Sequence, residues 1–361
     1  MKERKPNIVL INCDDLGYGD LGCYGSSVNK TPTIDEMAKE GIKFTDFYMA
    51  SPVCTPSRGA MMTGCYPVRI GFGRFGGARV LFPGQGLGLN PEEKTIASVL
   101  KDEGYQTMLV GKWHCGDQPE FLPTNHGFDH YYGLPYSNDM GRQNGRTKFP
   151  PLPLISDEEV IQEQPDQTSL TERYVEQSVR FIRNNRESPF FLYLAHMHVH
   201  RPLLAPEHFV KQSDNGDYGA TVECIDWSTG VILKELQQLG LAEDTLVIFT
   251  SDNGSKGESG GSNAPLRGNK GTTWEGGMRV PCIMYWPGTL EEGVVCDQLI
   301  SSVDFYPTLA QLAGADIPGE RKIDGLDFSK MLFDIKKKKS PREVFCYYNE
   351  NSLEAIRVGK W

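Results

Sequence analysis

The sequence predicts an α/β fold, a mostly parallel sheet with helices on both faces. Short apolar runs rich in β-branched and aromatic residues alternate along the chain with stretches of helical apolar spacing. Strands and helices that alternate in this way bury a parallel sheet from both sides. At 361 residues the chain is also long enough for one large domain of roughly 250–300 residues plus a smaller piece. Such sheets carry their chemistry beyond the carboxyl ends of the strands, so candidate functional residues are sought there.

The elements follow in order. Residues 8–11 form the first strand, and Thr31 starts a helix with Pro32 in its first turn and Gly41 just past its end. Pro56 can open a second helix with Cys54 at its amino end, and a helix over 95–103 stops at Gly104 before a strand at 106–110. Helices over 171–186 and 220–239 lead to strands at 190–195 and 246–250, and a last core strand spans 281–286. Residues 71–89 and 136–167 are Gly- or Pro-rich and weakly periodic, hence loops; Arg74, Arg79, Asn138 and Arg142 within them are candidates for substrate contact. The lysines at 336–339 read as a solvated linker. After them, 344–348 and 355–358 form a hairpin, which is marginal in water unless it packs on something, and whose open edges predict self-association.

Composition removes several function classes. With 37 Lys and Arg against 47 Asp and Glu, the net charge of −10 excludes nucleic acid as a partner, because a polyanion-binding surface needs a basic excess. An anionic substrate must meet a small local cluster of positive charge. No apolar run approaches the roughly 18–20 residues that span a bilayer, so no membrane association is expected. The start, Met1-Lys2-Glu3-Arg4-Lys5-Pro6, passes straight into the first strand without a signal peptide, and the nine cysteines lack C-x-x-C spacing. Both features predict a cytoplasmic protein, or a periplasmic or secreted one if an export signal has been trimmed.

Two strands end alike, in Asn12-Cys13-Asp14-Asp15 and in Thr250-Ser251-Asp252-Asn253-Gly254. Each pair alone suits an Asx turn, but together at equivalent strand ends these oxygens suit a hard cation, Ca²⁺ or Mg²⁺. A further segment runs Cys54-Thr55-Pro56-Ser57-Arg58 and then, after four residues, Thr63-Gly64. On physical grounds alone Cys54 is either a small buried residue or part of an anion site at a helix amino end. The segment resembles the C-x-P-S-R…T-G signature of formylglycine-dependent sulfatases, of the alkaline phosphatase superfamily, with Met62 where that family usually has leucine. Gly111-Lys112-Trp113-His114, Val199-His200-Arg201-Pro202 and Gly268-Asn269-Lys270-Gly271 occur in family order, and the resemblance covers about residues 6–330. Gly127-Phe128-Asp129 and Gly133-Leu134-Pro135-Tyr136-Ser137 look like the arylsulfatase and N-acetylgalactosamine-6-sulfatase branch.

The resemblance implies an alkaline-phosphatase-like sheet and hydrolysis of a sulfate monoester, aryl or carbohydrate, after a maturase oxidises Cys54 to formylglycine. A hydrated aldehyde has two hydroxyls, one to attack sulfur and one to expel sulfate, whereas serine would stall as a sulfate ester. By the same resemblance Asp14, Asp15, Asp252 and Asn253, with the residue at Cys54, hold Ca²⁺ or alternatively Mg²⁺, with Asp252 also a proton acceptor. Arg58 orients the hydrate, Lys112 and Lys270 balance charge on the sulfuryl oxygens, and Ser137 lies near the sulfate. His114 serves the hydrate as base, and His200 is the acid to the leaving oxygen. The implied division is a catalytic domain over residues 1–335 and, over residues 340–361, the opening hairpin of a smaller subdomain that looks truncated.

Rival readings remain at this point. His196, His198 and His200 would share one strand face if the strand at 190–195 continued, which is a zinc pattern. A phosphonate monoester or phosphodiester hydrolase of the same superfamily uses the same aldehyde chemistry. An inactive sugar-binding relative with unmodified Cys54 is the alternative from another class. Gly84-Gln85-Gly86-Leu87-Gly88 does not lead from strand to helix, so it is no dinucleotide fingerprint.

Overall fold

In a computed structural model, described for residues 5–143, 148–317, 319 and 321–361, ten strands form one sheet. From one edge they run β11 (Val294–Cys296), β2 (Ile42–Phe44), β10 (Cys282–Tyr285), β9 (Thr245–Ser251), β1 (Asn7–Cys13), β8 (Phe190–Ala195), β4 (Gln106–Lys112), β5 (His130–Leu134), β6 (Pro153–Ser156) and β7 (Glu159–Glu163). The centre, β9-β1-β8-β4-β5, is parallel, and β10, β6 and β7 are antiparallel to their inner neighbours. Two short pairs complete the strands: β3 (Phe47–Tyr48) with β12 (Ile300–Ser301), and β13 (Val344–Asn349) with β14 (Ser352–Val358).

Alternation along β1 divides the core. Ile8 and Leu10 face one layer, built from α2 (Cys54–Thr63), α3 (Ile96–Asp102), α8 (Phe305–Ala313) and α9 (Ser329–Leu332). Val9 and Ile11 face the other, built from α1 (Pro32–Lys39), α4 (Leu170–Asn184) and α6 (Gly216–Gln238). With both faces covered, β1, β8 and β9 are buried throughout, which is why they read as unbroken apolar runs. Two small helices, α5 (Glu207–Gln212) and α7 (Glu275–Met278), lie among the connections. Among the described residues no helix is long and apolar enough to cross a membrane.

Within the predicted loop 136–167 the chain forms β6 and β7, while residues 144–147 lie outside the described set. Every residue of β7 is exposed, so this edge strand carries no burial pattern to read. Residues 71–89 hold no helix and no strand beyond an isolated bridge between Phe75 and Ala78, in keeping with the predicted loop. The hairpin is seated on the main body: Phe345 and Tyr347 are buried against Tyr48 and Tyr66, with the Tyr48 and Phe345 rings 4.9 Å apart.

Candidate active site

Register delivers the first residues. Cys13 pairs with Ser251 in the parallel ladder, so Asp14 and Asp252 emerge side by side at the same sheet edge, and the Asp252 amide donates to the Cys13 carbonyl (2.9 Å). Lys112 ends β4 two strands away. Gly111 permits this approach, because a Cβ there would lie 1.9 Å from the Ala195 carbonyl oxygen, and its φ is +112°. Val53 precedes α2, which begins at Cys54 and sends Arg58 inward. Asp15 and His114 both adopt left-handed φ, +65° and +63°, a conformation that costs non-glycine residues energy and gathers at functional sites.

These side chains form one ionic cluster. Arg58 donates from Nε to Asp252 Oδ2 (2.7 Å) and from Nη1 to the Lys112 carbonyl (2.6 Å). The Lys112 ammonium binds Asp14 Oδ2 and approaches Ser137 Oγ (3.3 Å). Lys270 Nζ reaches Asp15 Oδ1 at 2.5 Å, and Asn253 Nδ2 donates to the same oxygen (2.8 Å). His200 Nε2 lies 3.8 Å from Asp15 Oδ2, while its Nδ1 faces the Arg201 carbonyl (2.7 Å). Asp14, Asp15 and His200 thus offer ligand atoms within 4.8 Å of one another. Asp14 Oδ1 and Asn253 Oδ1 are buried with no hydrogen-bond partner. Unused oxygens amid three carboxylates fit a hard divalent cation, so the predicted oxygen set suits the group that the resemblance implies.

Electrostatics set the protonation states. Burial raises the Asp14 carboxyl, but Lys112, His200, Arg58 and Lys270 together hold it well below the carboxylate range. Burial and the Asp14 charge push Asp252 the other way, upward. Burial also raises the Cys54 thiol, against Lys112 and Lys270, so an unmodified Cys54 stays protonated and is a poor nucleophile. His114 is driven well below its usual range by burial and Lys112. Its Nε2 can only donate to the Leu81 carbonyl (3.1 Å), which leaves Nδ1, buried and unpartnered, as a proton acceptor. Burial and Lys270 lower His200.

The triple-histidine arrangement does not form. β8 stops at Ala195 and the chain turns, so that His196 Nε2 meets Ser228 Oγ on α6 (3.1 Å) and His198 is buried, with its carbonyl accepting from the Asp14 amide. Only His200 of the three reaches the cluster. Asn138 is also withdrawn, buried in an amide network with Gln167, and Arg74 and Arg142 are exposed.

Above the cluster opens a cleft of about 560 Å³ with Asp15, His200 and Lys270 in its lining. Arg79, Asp139, Arg201, Tyr218, Lys256 and Glu258 contribute to its walls. Apart from Arg79, sequence reasoning missed these as site residues; the position of Arg201 next to His200 was the one local signal. The description "Sulfatase" belongs to the family model that matches residues 6–315. The chain is similar to arylsulfatase A of Homo sapiens, at 41% identity over 99% of this chain and 74% of that protein. It is similar to N-acetylgalactosamine-6-sulfatase of Rattus norvegicus, at 41% identity over 99% and 70%. Among solved structures, PsFucS1 sulfatase from Pseudoalteromonas sp. superposes with a TM-score of 0.90 at 33% identity, covering 98% of this chain and 77% of that one.

Proposed function

We propose, from the premise that this chain belongs to the sulfatase family and is a sulfuric ester hydrolase, that its substrate is a sulfated carbohydrate. The polar side chains that line the cleft carry this reading. Apart from Val53, Val199, Pro202 and Gly271, every residue of its lining bears a polar side chain. Such walls match a polyol, whose hydroxyls need partners when desolvated, better than an apolar ring system. The sugar named for the N-acetylgalactosamine-6-sulfatase relative is of this class.

In this reading a maturase converts Cys54 to formylglycine, whose hydrate supplies the nucleophilic hydroxyl. Asp14, Asp15, Asp252 and Asn253, with the oxygen at position 54, would hold Ca²⁺ or Mg²⁺, which supplies Lewis-acid polarisation of a sulfate oxygen. The chain's own residues do the rest. Lys112 and Lys270 neutralise the sulfuryl oxygens, which stay anionic throughout. Ser137, held 3.3 Å from Lys112, donates beside them. Arg58 fixes the Asp252 carboxylate, His114 accepts a proton at Nδ1, and His200 faces the leaving oxygen as acid.

Peptide mass analysis around Cys54, paired with turnover of sugar sulfates by the same preparation, tests the reading. Aldehyde at position 54 should track activity, and Asp15→Asn should weaken Ca²⁺ binding measured calorimetrically. Full turnover by a preparation whose Cys54 is wholly thiol would overturn it.

A further inference from the structure

Lys270 lies in a stretch without regular structure that leads into α7, yet its ammonium must be held at Asp15. One side of this stretch is pinned from within the cleft. The Lys270 amide donates to the Ser255 carbonyl (2.9 Å) and the Gly271 amide to the Pro52 carbonyl (2.8 Å), two residues before Cys54. The other side is held by the hairpin, from the far end of the chain. Arg79 Nη1 donates to the Gly271 carbonyl (3.0 Å), and its Nη2 donates to Asn349 Oδ1 (2.7 Å). Glu350 faces Arg79 Nε (3.6 Å) and pairs with Arg74 Nε (3.1 Å). Two residues on, the Thr273 hydroxyl donates to Glu354, whose other oxygen accepts from Asn349 Nδ2 (2.7 Å). Glu275 then accepts from Tyr347 Oη (2.7 Å). Positions 271, 273 and 275 are therefore each tied to the hairpin, and Asn349 joins two of the ties.

Arg79 also lines the cleft, but both terminal nitrogens of its guanidinium are hydrogen-bonded, to Gly271 and Asn349, and its Nε faces Glu350 at 3.6 Å without a hydrogen bond, so it serves as a strut rather than as a free cation for substrate. We infer that the hairpin turn, through Arg79, Asn349 and Glu354, is the positioning device for Lys270. A lysine stabilises a transferring group only from the right place, and a displacement of about 1 Å costs up to roughly 10²-fold in rate. The inference rests on the sulfatase reading for its kinetic consequence, though not for its structural one.

The test uses the matured full chain with Arg79→Ala, Asn349→Ala and Thr273→Val, the last two at half-buried positions. Each should lower kcat/KM on 4-nitrophenyl sulfate by about 10-fold, with Thr273→Ser retaining most activity. In a Lys270→Ala background the same changes should cost less than about 2-fold, because residues that act through one another are not additive. Backbone amides of residues 268–275 should exchange hydrogen faster in Asn349→Ala, while those of β4 should not. Full additivity with Lys270→Ala, or unchanged exchange across 268–275, overturns the inference. If the matured wild type hydrolyses no sulfate ester, the functional reading fails, and the exchange measurement still decides the positioning.

Discussion

The floor of the cleft and the hairpin seam use the same chemistry, carboxylates facing Arg and Lys, under opposite solvent conditions. On the floor, Arg58, Lys112, Asp14 and Asp252 are at most 1% exposed. Along the seam, Arg74 is 56% and Glu350 27% exposed. Water screens the seam, so each pair there holds geometry for little energy, whereas on the floor removing one partner strands a desolvated charge. Distance does not separate the two regions, since 2.7 Å on the floor and 3.1 Å at the seam are both close pairs. Burial does.

The sharpest break of this contrast is Arg58→Met. It leaves Asp252 without its guanidinium and should lower unfolding free energy by about 3–5 kcal/mol in urea titrations. A loss below about 1 kcal/mol would place the floor in the same class as the seam.

A buried group with no counter-charge extends the comparison. His126 is enclosed beside Trp113 with both ring nitrogens unpartnered, and burial pulls it down to about 4. Between about 6.5 and 4 the unfolded chain takes the proton and the folded chain does not, so stability falls as pH drops through that window. The loss is about 3 kcal/mol in full, and His126→Phe should remove much of it when unfolding is compared at pH 7 and pH 4.5. An unchanged pH slope would show that His126 is not responsible.

Next is His200, at the wetter rim of the floor, 15% exposed. Its replacement by Ala should slow hydrolysis of sugar sulfates by about 10²-fold and nitrophenyl sulfate far less, because a nitrophenolate leaves unprotonated. Equal losses on both would reassign His200 to sulfate or cation binding, for which its closeness to Asp14 and Asp15 qualifies it. The smallest effect is expected at the seam: Arg74→Ala should change stability by less than about 1 kcal/mol, and by still less in 1 M salt.

The sequence by itself determined the alternating α/β layout, the hairpin and the strand ends that carry Asp14 and Asp252. Apolar strands buried on both faces and glycine or proline at helix ends leave local traces. The C-x-P-S-R signature and the ordered motifs also pointed to the family before any geometry was known. β7 escaped because an exposed edge strand has no burial pattern, and the three-histidine face failed because the end of β8 at Ala195 depends on what packs around it. Only the tertiary structure decided which charges meet. Arg58 finds Asp252 across 194 positions and Arg79 finds Asn349 across 270. Such encounters follow from sheet register and from where the hairpin lands, and no residue's neighbours in sequence encode them. The withdrawal of Asn138 from the cleft and the engagement of Arg79 as a strut have the same cause: a polar side chain goes to whatever partner folding brings within about 3 Å, which the chain's order does not state.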